Sequence, residues 1–391
     1  MKYLVLISVQ KDEMETYLQS WQRKKNEVQI VHGPFVTYQS IEEAHSFAII
    51  ETDKMSEAEQ FCENLTGTTR IVLNPILDER DALEEIEKYN ANKARAETDY
   101  KNTKIDKITN IGTTTSLEIL PLIDWRTDDK DLDVETGVSY LIKTDDTTIL
   151  FDVGLNPGQK DPSHLLTNMR KLGVSLDDID IIYLTHNHSD HVGGDKWYKE
   201  KTFSLSGKQI NLRNKKVYTP VQMSYPGLEP IYSPGPFIIG RGVASIGTIP
   251  TSMFIFGYTD EMSLAVNVEG KGIVLIIGCG HQGLPRILER TSALFDVPFY
   301  GIIGGLHYPV MGGPLEVYGY YPHQHMGTGK VPWEQISVDE LSDNIELLIS
   351  YEPRLVALSP HDSSDFSIQQ FRESFKDEFM ELRVGKKIII Q

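Results

Sequence analysis

Apolar positions fall into two regimes along the chain. Up to about residue 90, strand-like runs at 3–9, 28–33, 45–52 and 70–76 enclose two helical stripes. The stripes are Met14, Tyr17, Leu18 and Trp21, then Ala58, Phe61, Cys62 and Leu65, both at i, i+3, i+4, i+7 spacing. The resulting β-α-β-β-α-β order predicts a small α+β, ferredoxin-like domain over residues 1–90. From Asp78 to Asp106 the chain is densely charged and lacks glycine and proline, which predicts a solvated helical linker, bounded here as 91–115. Beyond it, over 116–391, strand runs at 179–184, 272–277, 300–303 and 355–359 alternate with helical patterns. One helix is expected to open with Asp161 as N-cap and Pro162 as first helical residue, to carry the stripe Leu165, Leu166, Met169 and Leu172, and to stop at Gly173. Another is predicted at 284–296, and a third at 337–350 opens with the capping-box residues Ser337 and Glu340. Alternating strands and helices predict a layered α/β domain.

Composition narrows the partners. With 56 acidic against 38 basic residues and a net charge of −18, the mean field repels phosphate backbones, so no nucleic-acid partner is expected. A local patch of Lys196, Lys199, Lys201 and Lys208 is compatible with a small phosphorylated substrate or with an ordinary surface. The two cysteines, Cys62 and Cys279, fall in different modules, which excludes a disulfide framework. The apolar run Tyr3–Val9 is too short for a signal segment, and no stretch approaches a membrane span, so no membrane partner and a cytoplasmic location are expected. His32, near a strand end, is read as structural.

The candidate chemistry begins where the run Ile179–Leu184 ends. Thr185-His186-Asn187-His188-Ser189-Asp190-His191 puts four metal-ligand candidates into six residues and is followed by Val192-Gly193-Gly194. Histidine nitrogens and a carboxylate suit zinc or another borderline first-row cation. An i, i+2 histidine pair can point one way only on extended or turned backbone, so the site is expected on a loop at a strand's C-terminal end.

The HxHxDH block, with His186, His188, Asp190 and His191, resembles the signature of the metallo-β-lactamase superfamily. Further blocks follow the same order: Gly137–Ile142, Ile149–Gly154, Gly278-Cys279-Gly280-His281, Gly304-Gly305-Leu306-His307 and Ser359-Pro360-His361. Within the superfamily they are most similar to the dihydropterin-ribofuranosylaminobenzene phosphate synthase-like branch, and the resemblance spans roughly 116–391. The first module is similar to YCII-related α+β domains through Met1–Ile7 and His32–Val36. The superfamily resemblance implies an αββα sandwich with a metal centre, commonly dinuclear, at one edge of its two sheets. It also implies that one metal takes His186, His188 and a later histidine, best matched by His281. The second would take Asp190, His191 and a last histidine, best matched by His361. The departure lies at the bridging acid: Cys279 stands near that place and His307 follows the next strand, so Cys279, His307 or water alone are the candidates for the bridge. Cys279 is read foremost as a buried, inert thiol, and Asp152 as a carboxylate that orients a ligand imidazole.

Two segments, Ser224–Gly242 and Tyr308–Trp333, read as lids or oligomer contacts. The second carries the substrate-side candidates Tyr318, Tyr320, Tyr321, His323 and His325. The expected function is a metal-dependent hydrolase of a small-molecule ester, lactone, phosphoester or cyclic amide. Two divalent ions, zinc first and iron or manganese as alternatives, activate a hydroxide that Asp190 orients. The alternatives are an iron-dependent redox enzyme on the same fold and a non-catalytic ligand-binding sensor. The first module is expected to mediate homo-oligomer formation or to gate substrate.

Overall fold

A computed structural model describes residues 2–38, 43–52, 55–66, 68, 70–76, 79–254, 256–314, 316, 321–325 and 327–391. The chain divides into two units: Met1–Lys88 with Leu315–Pro322, and Tyr89–Pro314 with His323–Gln391.

The first unit places β1 (Lys2–Gln10), α1 (Met14–Lys24), β2 (Gln29–Tyr38), β3 (Glu43–Glu51), α2 (Met55–Glu63) and β4 (Arg70–Ile76) in that order. Its antiparallel sheet runs β2-β3-β1-β4. Alternation along β1 explains the packing: Tyr3, Val5, Ile7 and Val9 are buried with Tyr17, Trp21, Phe61 and Cys62 from the two helices. Trp21 meets Phe61 edge-on at 5.1 Å. The side chain of His32, on β2, lies outside the described residues.

Helix α3 (Glu79–Asn102) is the charged stretch, and it is not solvated all round. Tyr89 and Ala96 are buried within the second unit, where the Tyr89 hydroxyl donates to the Gly329 carbonyl at 2.9 Å.

The second unit contains two seven-stranded sheets. One holds β5 (Leu117–Ile123), β6 (Ser139–Lys143), β7 (Thr148–Phe151), β8 (Ile181–Tyr183), β9 (Lys216–Thr219), β10 (Ile231–Tyr232) and β18 (Ile388–Ile390), in the order β10-β9-β8-β7-β6-β5-β18. The other runs in chain order through β11 (Phe237–Gly240), β12 (Val243–Met253), β13 (Gly257–Val268), β14 (Gly272–Ile277), β15 (Phe299–Gly304), β16 (Leu355–Leu358) and β17 (Phe379–Glu381). The helices are α4 (His164–Lys171), α5 (Ser189–Val192), α6 (Asp195–Lys199), α7 (Leu284–Leu294), α8 (Pro322–His325), α9 (Val338–Ile349) and α10 (Asp365–Phe375).

The apolar run of β14 shows how the layers form. Ile273, Leu275 and Ile277 face the α7, α9 and α10 side, while Val274 and Ile276 join residues of both sheets in the layer between them. Burial on two faces is why this strand reads as a continuous apolar run. In the other sheet Ile149 and Phe151 face the middle and Leu150 faces α4. Rings of Tyr140, Phe151 and Tyr183 stack across β6, β7 and β8 at 5.8 Å. The architecture is the expected αββα sandwich, with helices outside two stacked sheets.

Two local expectations are corrected. The N-cap of α4 is Ser163, whose Oγ accepts from the Leu166 amide at 3.1 Å, rather than Asp161, which pairs with Lys208. Ser224–Gly242 is not a free lid, because it supplies edge strands β10 and β11, one to each sheet. Edge positions tolerate the proline-rich sequence there.

Candidate metal centre

Parallel pairing fixes where the chemistry gathers. Strands β7 and β8, and β14, β15 and β16, run parallel within their sheets, so the loops at their C-terminal ends share one edge of the sandwich. Those loops carry Asp152, the His186–His191 block, Cys279 with His281, His307 and His361.

Ligand-type atoms converge in three overlapping groups, each with its atoms within 4.8 Å of one another. They are Asp190, His191, Cys279 and His361; His186, Cys279 and His281; and His186, His188 and Asp190. All six metal-ligand candidates named first from sequence are therefore brought together. Cys279, ranked behind them, occupies the middle: its Sγ stands 3.0 Å from both His191 Nε2 and His361 Nε2. His307 is not in these groups among the described residues; its ring packs 4.6 Å from that of His281.

Four of the five rings are oriented from behind. His191 Nδ1 lies 2.7 Å from Asp152 Oδ2. Thr185 Oγ1 donates to the same Asp152 oxygen at 2.7 Å, and therefore accepts from His186 Nδ1 at 3.0 Å. Ser359 Oγ donates to Asp124 Oδ1 at 2.9 Å and accepts from His361 Nδ1 at 2.6 Å. His281 Nδ1 donates to the Gly327 carbonyl at 2.8 Å. With Nδ1 of His186, His281 and His361 a donor, their Nε2 lone pairs point inward. Nε2 of His186, His188 and His281 is buried without a hydrogen-bond partner, an arrangement costly to keep unless a cation is bound.

Electrostatics match. Burial, then neighbouring histidines, holds His186, His281 and His361 well below the usual imidazole range; burial brings His188 down to about 4 although Asp190 pulls the other way. Neutral imidazole is the ligating form. Burial also opposes charge on His191, but Cys279, Asp152 and Asp190 outweigh it and hold the ring above the usual range. Burial would raise Asp190, yet His191, His188 and His361 keep it ionised. A set of histidine nitrogens, one thiol and one carboxylate fits zinc or a similar borderline cation.

Several supporting residues escaped the sequence. Glu261, fully buried on β13, accepts amide hydrogens from Cys279 at 3.1 Å and Gly280 at 2.7 Å on one oxygen, and from His281 at 2.9 Å on the other. Its signal is an acid at the head of the otherwise nonacidic strand segment Met262–Val268. Asp362 accepts from the His307 amide at 3.2 Å and lies 3.6 Å from His361 Nε2. His307 and Asp152 both adopt left-handed backbone, with φ of 50° and 56°. Such conformations at bulky residues mark places where side-chain position outweighs strain.

The lid candidates divide. His323 lies on α8 with its ring 6.3 Å from His307 and a buried, unpartnered Nδ1. His325 is tied elsewhere, its Nδ1 donating to the Pro332 carbonyl at 2.7 Å. Tyr321 belongs to the first unit, where its hydroxyl donates to Glu316 at 2.7 Å. Tyr318 and Tyr320 lie outside the described residues. Two cavities flank the histidines. One of about 490 Å³ is walled in part by His281 and His307, the other of about 440 Å³ by His188, Asn187, Phe256 and Lys201. Of the other patch lysines, Lys208 pairs with Asp161 and Lys196 lies over the Trp197 ring.

Residues 132–237 match the family model of the Metallo-beta-lactamase superfamily. It is 25% identical to the 7,8-dihydropterin-6-methyl-4-(beta-D-ribofuranosyl)-aminobenzene-5'-phosphate synthase of Methanocaldococcus jannaschii, over 44% of this chain and 70% of that protein. Among solved structures, a metal-dependent hydrolase of the beta-lactamase superfamily matches 70% of this chain and 98% of its own at 20% identity and a TM-score of 0.46. The metallo-beta-lactamase fold protein YhfI from Bacillus subtilis matches 70% of this chain and 100% of its own at 12% identity and a TM-score of 0.43. Among the described residues, no helix is long and apolar enough to cross a membrane.

Proposed function

We propose that the chain is a dinuclear metal-dependent hydrolase acting on a small-molecule ester, lactone, phosphoester or cyclic amide. The observation that carries this reading is the inward set of Nε2 atoms held by outward Nδ1 hydrogen bonds, with Cys279 Sγ between His191 and His361. His186, His188 and His281 would hold the first ion, and Asp190, His191, Cys279 and His361 the second; Cys279 also falls in one group with His186 and His281. When bound, two divalent cations would lower the pKa of a water and polarise the carbonyl or phosphoryl oxygen of a substrate, leaving its carbon or phosphorus more electrophilic.

The chain's own residues supply the rest. Asp190, ionised and with a side chain 27% exposed, would orient the attacking water. Asp152, Thr185, Asp124 and Ser359 lock the rings so that no reorganisation accompanies the reaction. The thiol among imidazoles favours zinc over harder ions.

The first unit is read as a YCII-like, ferredoxin-like module for self-association. Leu6, on the sheet face opposite Tyr3, Val5 and Ile7, is exposed, which supports that face as a surface for a second copy.

The test is elemental analysis of zinc-loaded protein together with a panel of esters, lactones, phosphoesters and cyclic amides. Two ions per chain and turnover of one class are expected. His188→Ala should abolish turnover with the far-UV dichroism intact, because the sandwich core does not depend on a metal. A single ion in saturated protein refutes the dinuclear reading, and no turnover across the panel refutes the hydrolase.

A further inference from the structure

The cavity walled by His281 and His307 contains an unexplained amide. Gln282, next in sequence to His281, lines it and is only 5% exposed, yet its side-chain nitrogen and oxygen both lack a hydrogen-bond partner. Thr328 lines the same cavity, and its Oγ1 is also buried and unpartnered. A buried primary amide with donor and acceptor both unsatisfied is rare, because each group lost its water on folding. Gln282 and Thr328, which bear these three atoms, line one space of about 490 Å³, the size of a ligand site.

Charge selects the ligand class. The cationic groups on this wall are engaged: Arg286 pairs with Glu97, Lys330 with Glu340, and Lys93 Nζ donates to the Tyr89 hydroxyl at 3.1 Å. Asp343 adds a further negative charge. No surplus of positive charge awaits a phosphate or carboxylate. The orphaned groups instead offer a hydrogen-bond donor and acceptor side by side on one planar amide, the complement of an –NH–C(=O)– edge.

We propose that Gln282 is the specificity-determining residue of a subsite for a neutral cyclic amide or imide, held beside the metal centre with its N–H on Gln282 Oε1 and its carbonyl on Gln282 Nε2. Thr328 Oγ1 supplies a further polar contact. This deepens the hydrolase reading only in taking the ligand to be the held part of the substrate. The recognition itself needs no metal.

The test uses the full, zinc-loaded chain and saturation-transfer NMR with uracil and its N,N-dimethyl derivative as probes. Uracil should bind, and the dimethyl derivative, which keeps the ring and loses both N–H groups, should bind at least about tenfold more weakly, as loss of paired hydrogen bonds predicts. Gln282→Leu should weaken uracil about tenfold, and Gln282→Glu, which removes the donor, should do the same. Failure of uracil to bind, or equal binding of the two probes to the unaltered protein, overturns the proposal without any variant. So does unchanged uracil binding in folded Gln282→Leu. Uracil binding with no turnover of the panel, cyclic amides included, would leave the subsite standing and refute the hydrolase; turnover without uracil binding would do the reverse.

Discussion

Asp152 Oδ2 stands 2.7 Å from His191 Nδ1, while Asp152 Oδ1 accepts the Thr185 amide at 2.7 Å. One carboxylate thus ties the strand end before HxHxDH to the last ring within it. Because Thr185 Oγ1 also donates to Oδ2, the same group reaches His186 through a second link.

That relationship predicts the behaviour of Asp152→Asn. Asparagine tolerates the left-handed backbone at this position, so the change removes charge while keeping conformation. Zinc affinity is expected to fall on the order of 10–100-fold, as for other carboxylates behind ligand histidines. Competition against a chromogenic chelator measures it. An unchanged affinity would show that Asp152 merely shapes a turn.

Cys279 predicts a spectroscopic signature. If its sulfur ligates, cobalt-substituted protein should show an intense thiolate-to-cobalt charge-transfer band that disappears in Cys279→Ser. Cys279→Asp should restore two-ion occupancy without the band, since a carboxylate can occupy the same place. A cobalt spectrum that is identical with and without the sulfur would return Cys279 to the role of an inert core thiol.

Four buried histidines should contribute a loss of stability toward acid in the metal-free protein. An unfolded histidine titrates near 6.5, whereas folded His188 is held down to about 4, and His186, His281 and His361 are also depressed. Between those values these histidines bind more protons in the unfolded chain, so their contribution rises with pH and is lost as pH falls from about 6.5 toward 4, while the buried carboxyls of Asp124 and Glu261, pushed up to about 7, and of Asp362 contribute with the opposite sign. His188 alone accounts for about 1.4 kcal/mol per pH unit in that window. His191 runs oppositely: its pKa is raised, so its contribution is complete below 6.5 and declines only at higher pH. Urea denaturation of chelated protein across pH 4–7 checks the His188 share as the difference in slope between the unaltered protein and His188→Leu; equal slopes contradict it.

What was legible in the chain follows from locality. His186, His188, Asp190 and His191 declare themselves because four ligand types share one turn, and the strands before them are apolar runs long enough to recognise. Cys279 could not be ranked that way, because the atoms that give its sulfur meaning, on His191 and His361, lie 88 and 82 positions away. Edge strands β10 and β11 hid in proline-rich sequence that reads as loop. Gln282 is silent in sequence altogether, since its distinction is the missing partner.

Glu261 shows the same limit and gives the last prediction. Three consecutive amides, those of Cys279, Gly280 and His281, converge on its carboxylate, and burial raises its pKa to about 7 against their pull. Glu261→Gln has similar size but presents one acceptor oxygen and an NH₂ group to those donors, so at least one amide is left facing a donor in a dry site. Each unsatisfied buried group costs about 1–3 kcal/mol, and charged acceptors more, so a loss of roughly 2–4 kcal/mol is expected in urea denaturation. The damage should be directional. The loop that bears His281 is released, while His191 and His361 keep their own supports on Asp152 and Ser359. Elemental analysis should therefore find the ion bound by His186, His188 and His281 lost first, leaving about one ion per chain in a folded protein. Retention of two ions at full affinity would show that the amide cradle stabilises the fold without setting the position of the ligands.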